Sequence, residues 1–351
     1  MIARFHARAI AELADARLVA CFDTVPAAAD KLAAEFGCKA YHDLDRMLAD
    51  PEVTVVTVGT PSGAHLEPAV AAAEAGKHVI VEKPLEITLA RCDAIIDACR
   101  RRGVKLSTIF PSRFHDSSRL MKQAVESGRL GRVTLGDAYV KWYRSQQYYD
   151  SGAWRGTWEL DGGGALMNQA IHSVDLLTWL LGPVRELCAF TDTLAHERIA
   201  VEDVAVASLR FASGAVGVIE ATTAAYPGYL KRIEVHGSQG SIGMEEEDIV
   251  RWDFATEDPR DREVRQAMAQ RHSTGGGASD PAAIGHHGHA RQFRDVLDAI
   301  DQGREPAVDG PEGRRSVEII LAIYQAAETR AAVSLPLPAD PDLQARKRRK
   351  G

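Results

Sequence analysis

The sequence is poor in several things, and each shortage removes a class of function. Its five cysteines, at positions 21, 38, 92, 99 and 188, are odd in number and form no C-x-x-C pair. That leaves neither a disulfide framework nor a zinc-ribbon spacing. Positive charge is not in excess: 42 Lys and Arg stand against 49 Asp and Glu, a formal charge of −7. No basic field is therefore available for nucleic acid or anionic lipid, and the terminal Arg346-Lys347-Arg348-Arg349-Lys350 reads as a solvated tail. No apolar run approaches the ~18 to 20 residues of a membrane span, and the N-terminus lacks the apolar core of a signal peptide. The expectation is a soluble cytoplasmic protein without nucleic-acid or membrane partners.

What is present is enough apolar sequence, 45% of 351 residues, to bury a large core and divide into two domains. The pattern places boundaries at 1–112, 113–337 and a basic tail at 338–351. In the first region strands and helices alternate. Arg17–Asp23, Val53–Gly59, Lys77–Glu82 and Val104–Phe110 read as strands; 26–36, 65–75 and 89–102 read as helices. This βαβα order implies a doubly wound parallel sheet with helices on both faces. Residues 2–14 have helical spacing with only the initiator methionine before them. From 113 onward strands follow one another at 133–142, 205–211, 215–221 and 230–236, with Ser213-Gly214 as a hairpin turn. A second α/β domain with a mostly antiparallel sheet is expected there. By composition 272–288 is a mobile loop, helices follow at 289–302 and 312–330, and Asp258–Arg265 is a solvated charge run.

Three stretches carry chemistry. The apolar strand 77–82 runs into Glu82, Lys83 and Pro84, which places Lys83 at the carboxyl edge of a parallel sheet, where ligands of such sheets collect. Pro84 stiffens the turn and is compatible with a cis bond; the plainer alternative is an exposed lysine after a strand. Asp23 ends the second strand of a dinucleotide-binding pattern, where an acid accepts bonds from ribose hydroxyls and repels a 2′-phosphate. NAD is favoured over NADP on that ground, with an ordinary turn aspartate as the alternative. Finally, Asp161-Gly162-Gly163-Gly164 leads into a helix over 165–181 that stops at Gly182-Pro183. On it Asn168, His172 and Asp175 share one stripe at i, i+4 and i+7, and a buried polar stripe needs partners, such as a polyhydroxylated ligand. The glycines would let backbone approach a ligand, or would simply make a flexible entry loop; a satisfied core histidine is the other reading of His172. No metal is expected: His286, His287 and His289 have no carboxylate or cysteine at ligand spacing beside them.

Together these pieces resemble the glucose-fructose oxidoreductase, inositol dehydrogenase and rhizopine-catabolism (Gfo/Idh/MocA) family of NAD(P)-dependent oxidoreductases over almost the whole chain. The resemblance is carried by Thr60-Pro61 with His65, by His78 to Pro84, and by Trp154-Arg155. It extends to the Gly162-Gly163-Gly164 to His172-x-x-Asp175 helix and to Pro306-x-Val308-Asp309-Gly310. It implies a Rossmann domain and a second α/β domain facing the substrate, with the nicotinamide between them. It implies that Thr60, Pro61, His65, Glu82 and Lys83 line the cofactor, with Trp154 and Arg155 at its nicotinamide end. His172 would take the hydroxyl proton of a sugar or cyclitol, and Lys83 would bond the same oxygen. Asn168 and Asp175 would complete the substrate contacts, in a homo-oligomer.

Two departures stand out. Asn168 replaces an aspartate found in many members, which shifts the substrate expectation towards sugar-nucleotide and sugar oxidoreductases. The family's first strand and the leading glycines of its Gly-x-Gly-x-x-Ala/Gly turn are absent, with Ala3 matching the last turn position and His6 the histidine that often follows. The expectation is a start upstream of Met1, or else a fragment that binds cofactor weakly. A non-catalytic sugar or dinucleotide sensor and an NAD-dependent glycoside hydrolase are the alternative functions.

Overall fold

The computed structural model describes residues 2–269, 278 and 287–342. The chain divides into two compact units, Met1–Pro111 with Gly285–Arg314, and Ser112–Ile284 with Arg315–Gly351. In chain order the helices are α1 (Ile2–Ala11), α2 (Pro26–Phe36), α3 (Leu44–Ala49), α4 (Leu66–Glu74), α5 (Leu89–Arg102), α6 (Asp116–Glu126), α7 (Gln146–Asp150), α8 (Ile171–Leu181), α9 (Pro259–Ala269), α10 (His287–Gln302) and α11 (Gly310–Thr329). The strands are β1 (Ala20–Phe22), β2 (Lys39–Tyr41), β3 (Val55–Val58), β4 (His78–Val81), β5 (Leu106–Thr108), β6 (Val133–Lys141), β7 (Val184–Asp192), β8 (Val204–Phe211), β9 (Val216–Thr222), β10 (Arg232–Gly237), β11 (Gly240–Glu245), β12 (Asp248–Phe254) and β13 (Val333–Ser334).

The first unit is a Rossmann-like βα alternation, as the β-branched runs implied. Its strands are all parallel, but they form two sheets: β1 pairs β2, and β3, β4 and β5 pair in that order, with Val56 beside Val79 and Val79 beside Leu106. Among the described residues no strand joins the two pieces. Local signals set the helix ends. Pro26 opens α2, Thr88 accepts the Arg91 amide at the start of α5, and Gly37 and Gly103 close those helices with φ of 69° and 66°.

A boundary drawn at 112 misses the return of 285–314 to this unit. On α10, Ala290, Phe293 and Val296 pack against Ala9, Ile80 and Ile109. Its Gln292 accepts the Phe110 amide at 2.9 Å and donates to the Thr108 carbonyl at 2.6 Å. Val308 then accepts the Thr108 amide at 3.1 Å.

The second unit is built on an eight-stranded sheet in the order β12-β11-β10-β6-β9-β8-β7-β13, antiparallel except for β6 beside β9. Burial alternates cleanly along β8 and β9, so one face is core and the other faces water. The Ser213-Gly214 turn joins β8 to β9 as expected, with Gly214 at φ 89°. Four strands of this unit, β7, β11, β12 and the two-residue β13, were not anticipated. The charge run at 258–265 is not simply solvated. It opens α9, and Asp261 is buried there, bonded to Arg129 at 2.7 and 2.9 Å and to the Trp252 indole at 2.7 Å. Those bonds, Arg129 foremost, hold its carboxyl far below the usual range. The glycine- and histidine-rich 272–288 stretch and the basic tail from 343 lie outside the described residues, apart from 278, 287 and 288.

Two glycines let this unit close. A Cβ on Gly136 would come within 2.4 Å of Leu181 at the end of α8, and one on Gly217 would meet the Gly136 carbonyl oxygen at 2.3 Å. Backbone cannot yield as a flexible side chain does. Gly217→Ala is expected to cost about 1–3 kcal/mol through overpacking, read as a lower urea midpoint by circular dichroism; an unchanged midpoint would contradict this packing.

Candidate active site

In the first unit the site grows from the end of β4. After Val81 the chain turns through Glu82, Lys83 and Pro84, and the Lys83–Pro84 bond is cis. Glu82 is 5% exposed and spends both oxygens locally. Oε2 accepts the Lys83 amide at 3.0 Å, while Oε1 lies 2.8 Å from Nε2 of His6 and 3.7 Å from Nε2 of His289. Burial alone would push this carboxyl up; the His289 and His6 imidazoles reverse that and hold it well below the usual carboxylate range.

On the far side of the turn, Nδ1 of His65 is 2.8 Å from the Pro84 carbonyl and Nε2 is 3.0 Å from the Thr60 carbonyl. Burial lowers the His65 pKa, and a neutral ring donates through one nitrogen only, which by the shorter contact is Nδ1 to Pro84. Thus Glu82 and His65, expected along the cofactor, lie beneath the turn with their polar atoms engaged by protein. Thr60 is exposed and donates to the Ala64 carbonyl at 2.8 Å, and Pro61 is half-buried. Asp23 stands exposed just past β1, with Oδ1 accepting the Val25 amide at 2.8 Å.

In the second unit the expected helix begins as a π-helical turn, Ala165–Ala170, before α8 takes over at Ile171. Its glycines serve protein rather than ligand. A Cβ on Gly164 would strike the Glu202 carbonyl oxygen at 1.8 Å, and one on Gly163, where φ is +157°, would meet the Tyr324 hydroxyl at 2.1 Å. The buried Glu202 carboxylate accepts the amides of Gly164 at 2.9 Å and Leu166 at 2.8 Å, and the Tyr324 hydroxyl at 3.0 Å. It caps a helix start whose amides have no partner within the helix. Burial raises its pKa against those bonds.

From Ala165 to Leu180 the residues that keep some exposure are Asn168, His172 and Trp179, one open stripe in an otherwise buried helix. Asn168 donates to Asp161 and accepts from Gln169 at 3.2 Å. Behind it Gln169 accepts from the buried Arg144 at 2.9 Å and donates to the Tyr148 hydroxyl at 3.0 Å. Arg155 bonds that hydroxyl at 2.6 Å and lies over the Tyr148 and half-buried Trp154 rings, 4.2 and 4.5 Å from their centroids.

Asp175 departs from the stripe. It is fully buried, and both oxygens meet Arg113, at 2.6 and 2.8 Å, which places it as an internal counter-ion rather than a substrate contact. Sequence reasoning missed Glu202, Gln169 and Arg144, which meet partners 21 or more residues away, and Asp161, whose partners Gly156 and Asn168 are near in the chain. It also missed the grouping of His6, Glu82 and His289, whose nearest ligand atoms all lie within 4.8 Å of one another. Of these only Asp161, the acid directly before the glycines, carried a local signal that could have marked it.

Residues 1–110 match the oxidoreductase family with NAD-binding Rossmann fold, and residues 118–243 match the GFO/IDH/MocA C-terminal domain. Myo-inositol 2-dehydrogenase of Thermotoga maritima is 30% identical over 95% of this chain and 96% of its own. The WlbA dehydrogenase from Bordetella pertussis, solved with NADH and UDP-GlcNAcA, superposes with a TM-score of 0.87 at 36% identity, covering 96% of this chain and 95% of that one. A levoglucosan dehydrogenase, solved with NADH and levoglucosan, gives a TM-score of 0.82 at 26% identity, with 96% and 97% covered.

The chain belongs to the GFO/IDH/MocA family of oxidoreductases. Its first unit contains the family's NAD-binding domain, and the residues present fit the cofactor: the strands are parallel, and the exposed Asp23 just past β1 offers the acid that would meet a ribose. Among the described residues no helix is long and apolar enough to cross a membrane. The Arg113–Asp175 pair in this oxidoreductase supports α8 from below. Asp175→Ala is expected to strand a buried guanidinium and cost about 3–5 kcal/mol, seen as a lower thermal midpoint; a change under about 1 kcal/mol would mean the pair is structurally idle.

Proposed function

We propose that this protein is an NAD-dependent dehydrogenase of a secondary hydroxyl on a sugar, sugar derivative or cyclitol. The observation that carries the reading is the open stripe of α8 and its π-helical lead, where Asn168 and His172 keep exposure while almost every neighbour is buried. Bound NAD supplies the hydride acceptor. His172 removes the hydroxyl proton as the C–H hydride departs and the C=O bond forms, and the Lys83 ammonium bonds the oxygen that gains negative character. An imidazole, ordinarily near pKa ~6.5, exchanges protons at neutral pH, whereas a lysine near ~10.4 acts better as a fixed charge. Trp154 and Arg155 face the nicotinamide end in this reading, and Asp23 favours NAD over NADP.

Asn168 orients a substrate hydroxyl through its amide, itself aligned by Asp161 and Gln169. Together with the likeness to a dehydrogenase solved with UDP-GlcNAcA, this puts a nucleotide-linked sugar acid first among substrates, ahead of inositol and levoglucosan. The five free cysteines support a cytoplasmic setting.

The solvent face of the large sheet supports self-association. Phe190 on β7 is 79% exposed, and Val206 opposite it on β8 and Val216 on β9 are 44% and 42% exposed. Val216 lies apart, beside Arg210, whereas the adjacent Phe190–Val206 pair, exposed in one copy, suits the isologous contact of a second. Sedimentation velocity is expected to give a dimer or larger species that Phe190→Asp shifts towards monomer; a wild-type monomer at ~50 µM, well above the µM-range affinities of weak interfaces, would refute this.

For catalysis, NADH formation is followed with UDP-GlcNAcA, myo-inositol and levoglucosan. Lys83→Ala and His172→Ala are each expected to lower kcat/KM by about 10²–10⁴-fold while NAD binding, read by fluorescence, persists. Full activity in either variant would remove that residue from the mechanism.

A further inference from the structure

The proposed reaction leaves unused a buried group in the first unit, His6 on α1, Glu82 after β4 and His289 on α10. The 2.8 Å between His6 Nε2 and Glu82 Oε1 is a hydrogen bond. Two ligands of one tetrahedral ion, each at ~2.0 Å, would stand about 3.3 Å apart. Nδ1 of His6 meets the Thr57 hydroxyl at 2.8 Å, so the hydroxyl donates there and Nε2–H is left to donate to Glu82. The other Glu82 oxygen accepts the Lys83 amide at 3.0 Å, and the Pro84 carbonyl one residue on is held by His65 at 2.8 Å. The peptide units before Lys83 and after Pro84 are thus each held by a buried side chain.

We propose that Glu82 is a positioning residue for Lys83: its carboxylate, oriented by His6 and His289, fixes the lysine backbone so that the ammonium is aimed at the reacting oxygen. This rests on the reading of Lys83 given above. A pair of acceptor oxygens is what the place requires. One accepts from His6 with the His289 imidazole 3.7 Å away, and the other meets the lysine amide, whereas an amide side chain has a single oxygen and must turn its NH2 towards one of those two donors. For packing alone an apolar residue of similar size would serve at lower desolvation cost.

The test compares the full-length protein with Glu82→Gln, Lys83→Met and the double variant. Amide exchange at Lys83, followed by mass spectrometry of peptides spanning 78–90, needs no substrate. Glu82→Gln is expected to speed it about tenfold or more, leaving Val79 and Ile80 unchanged; unaltered exchange at Lys83 overturns the proposal. In NADH formation with the substrates named above, Glu82→Gln is expected to lower kcat about 10–100-fold, as a small misplacement does. KM for NAD should stay within about threefold, and in the Lys83→Met background the further loss should vanish, as coupling through one residue demands. An equal loss in both backgrounds overturns the proposal and leaves the role of Lys83 intact, as does full activity of Glu82→Gln beside an impaired Lys83→Met. Full activity of Lys83→Met overturns both. If Glu82→Gln does not melt cooperatively, His289→Leu replaces it, removing the imidazole 3.7 Å from the carboxylate while keeping the carboxylate. It is then expected to show a loss of about threefold to tenfold, again only where Lys83 is present.

Discussion

A carboxylate taken out of water must collect donors, and this protein turns that requirement into a way of fixing backbone. Glu82 gathers two imidazoles and the Lys83 amide, and Glu202 gathers two helix-start amides and the Tyr324 hydroxyl. Each stands directly behind a residue assigned to chemistry or behind the helix that carries one. Asp161 and Asp175 repeat the device at smaller scale, one joining Asn168 to the Gly156 amide, the other holding Arg113. An isolated buried charge would cost several kcal/mol, so these residues are tolerable only where their partners are complete. Reactive side chains supported this way lose little entropy when substrate arrives.

The glycines before α8 belong to the same arrangement. Gly164 leaves the distance at which Glu202 can reach the first amides of the helix, and Gly163 makes room for the Tyr324 hydroxyl that shares the carboxylate. A motif that suggests ligand approach in one dimension is a packing motif in three. The π-helical turn after it has a related effect. The extra residue per turn separates the rotation of Asn168 from that of α8 proper, so the two ends of the polar stripe are set by different helical geometries.

Much of the fold was legible because its signals are local. β-branched runs bounded by glycine and proline mark β3 and β4, the Ser213-Gly214 hairpin marks β8 and β9, and Gly182-Pro183 marks the end of α8. The strands β11 and β12 were not, since residues such as Gly240, Gly243, Glu246 and Asp248 weaken the pattern while antiparallel partners supply the order. In the candidate site, Lys83, His172 and Asn168 could be named from spacing and resemblance. Asp175 could not be placed, because helical periodicity predicts a shared face but not that Arg113, 62 residues earlier, neutralises one member of it. For the same reason His289 read as one histidine in a glycine-rich stretch, when its meaning lies 207 residues away in Glu82.

The return of 285–314 to the first unit bears on how the molecule is made. α10 supplies Phe293 and Val296 to that unit's core, Gln292 to the end of β5 and His289 to Glu82. On a ribosome adding ~5–20 residues per second, the interval between Pro111 and His287 is about ten to thirty-five seconds. Throughout it the nascent Rossmann half has neither its closing helix nor the second imidazole under its lysine turn. Vectorial synthesis therefore leaves the nucleotide-binding half waiting, partly open, for a segment encoded after most of the other half.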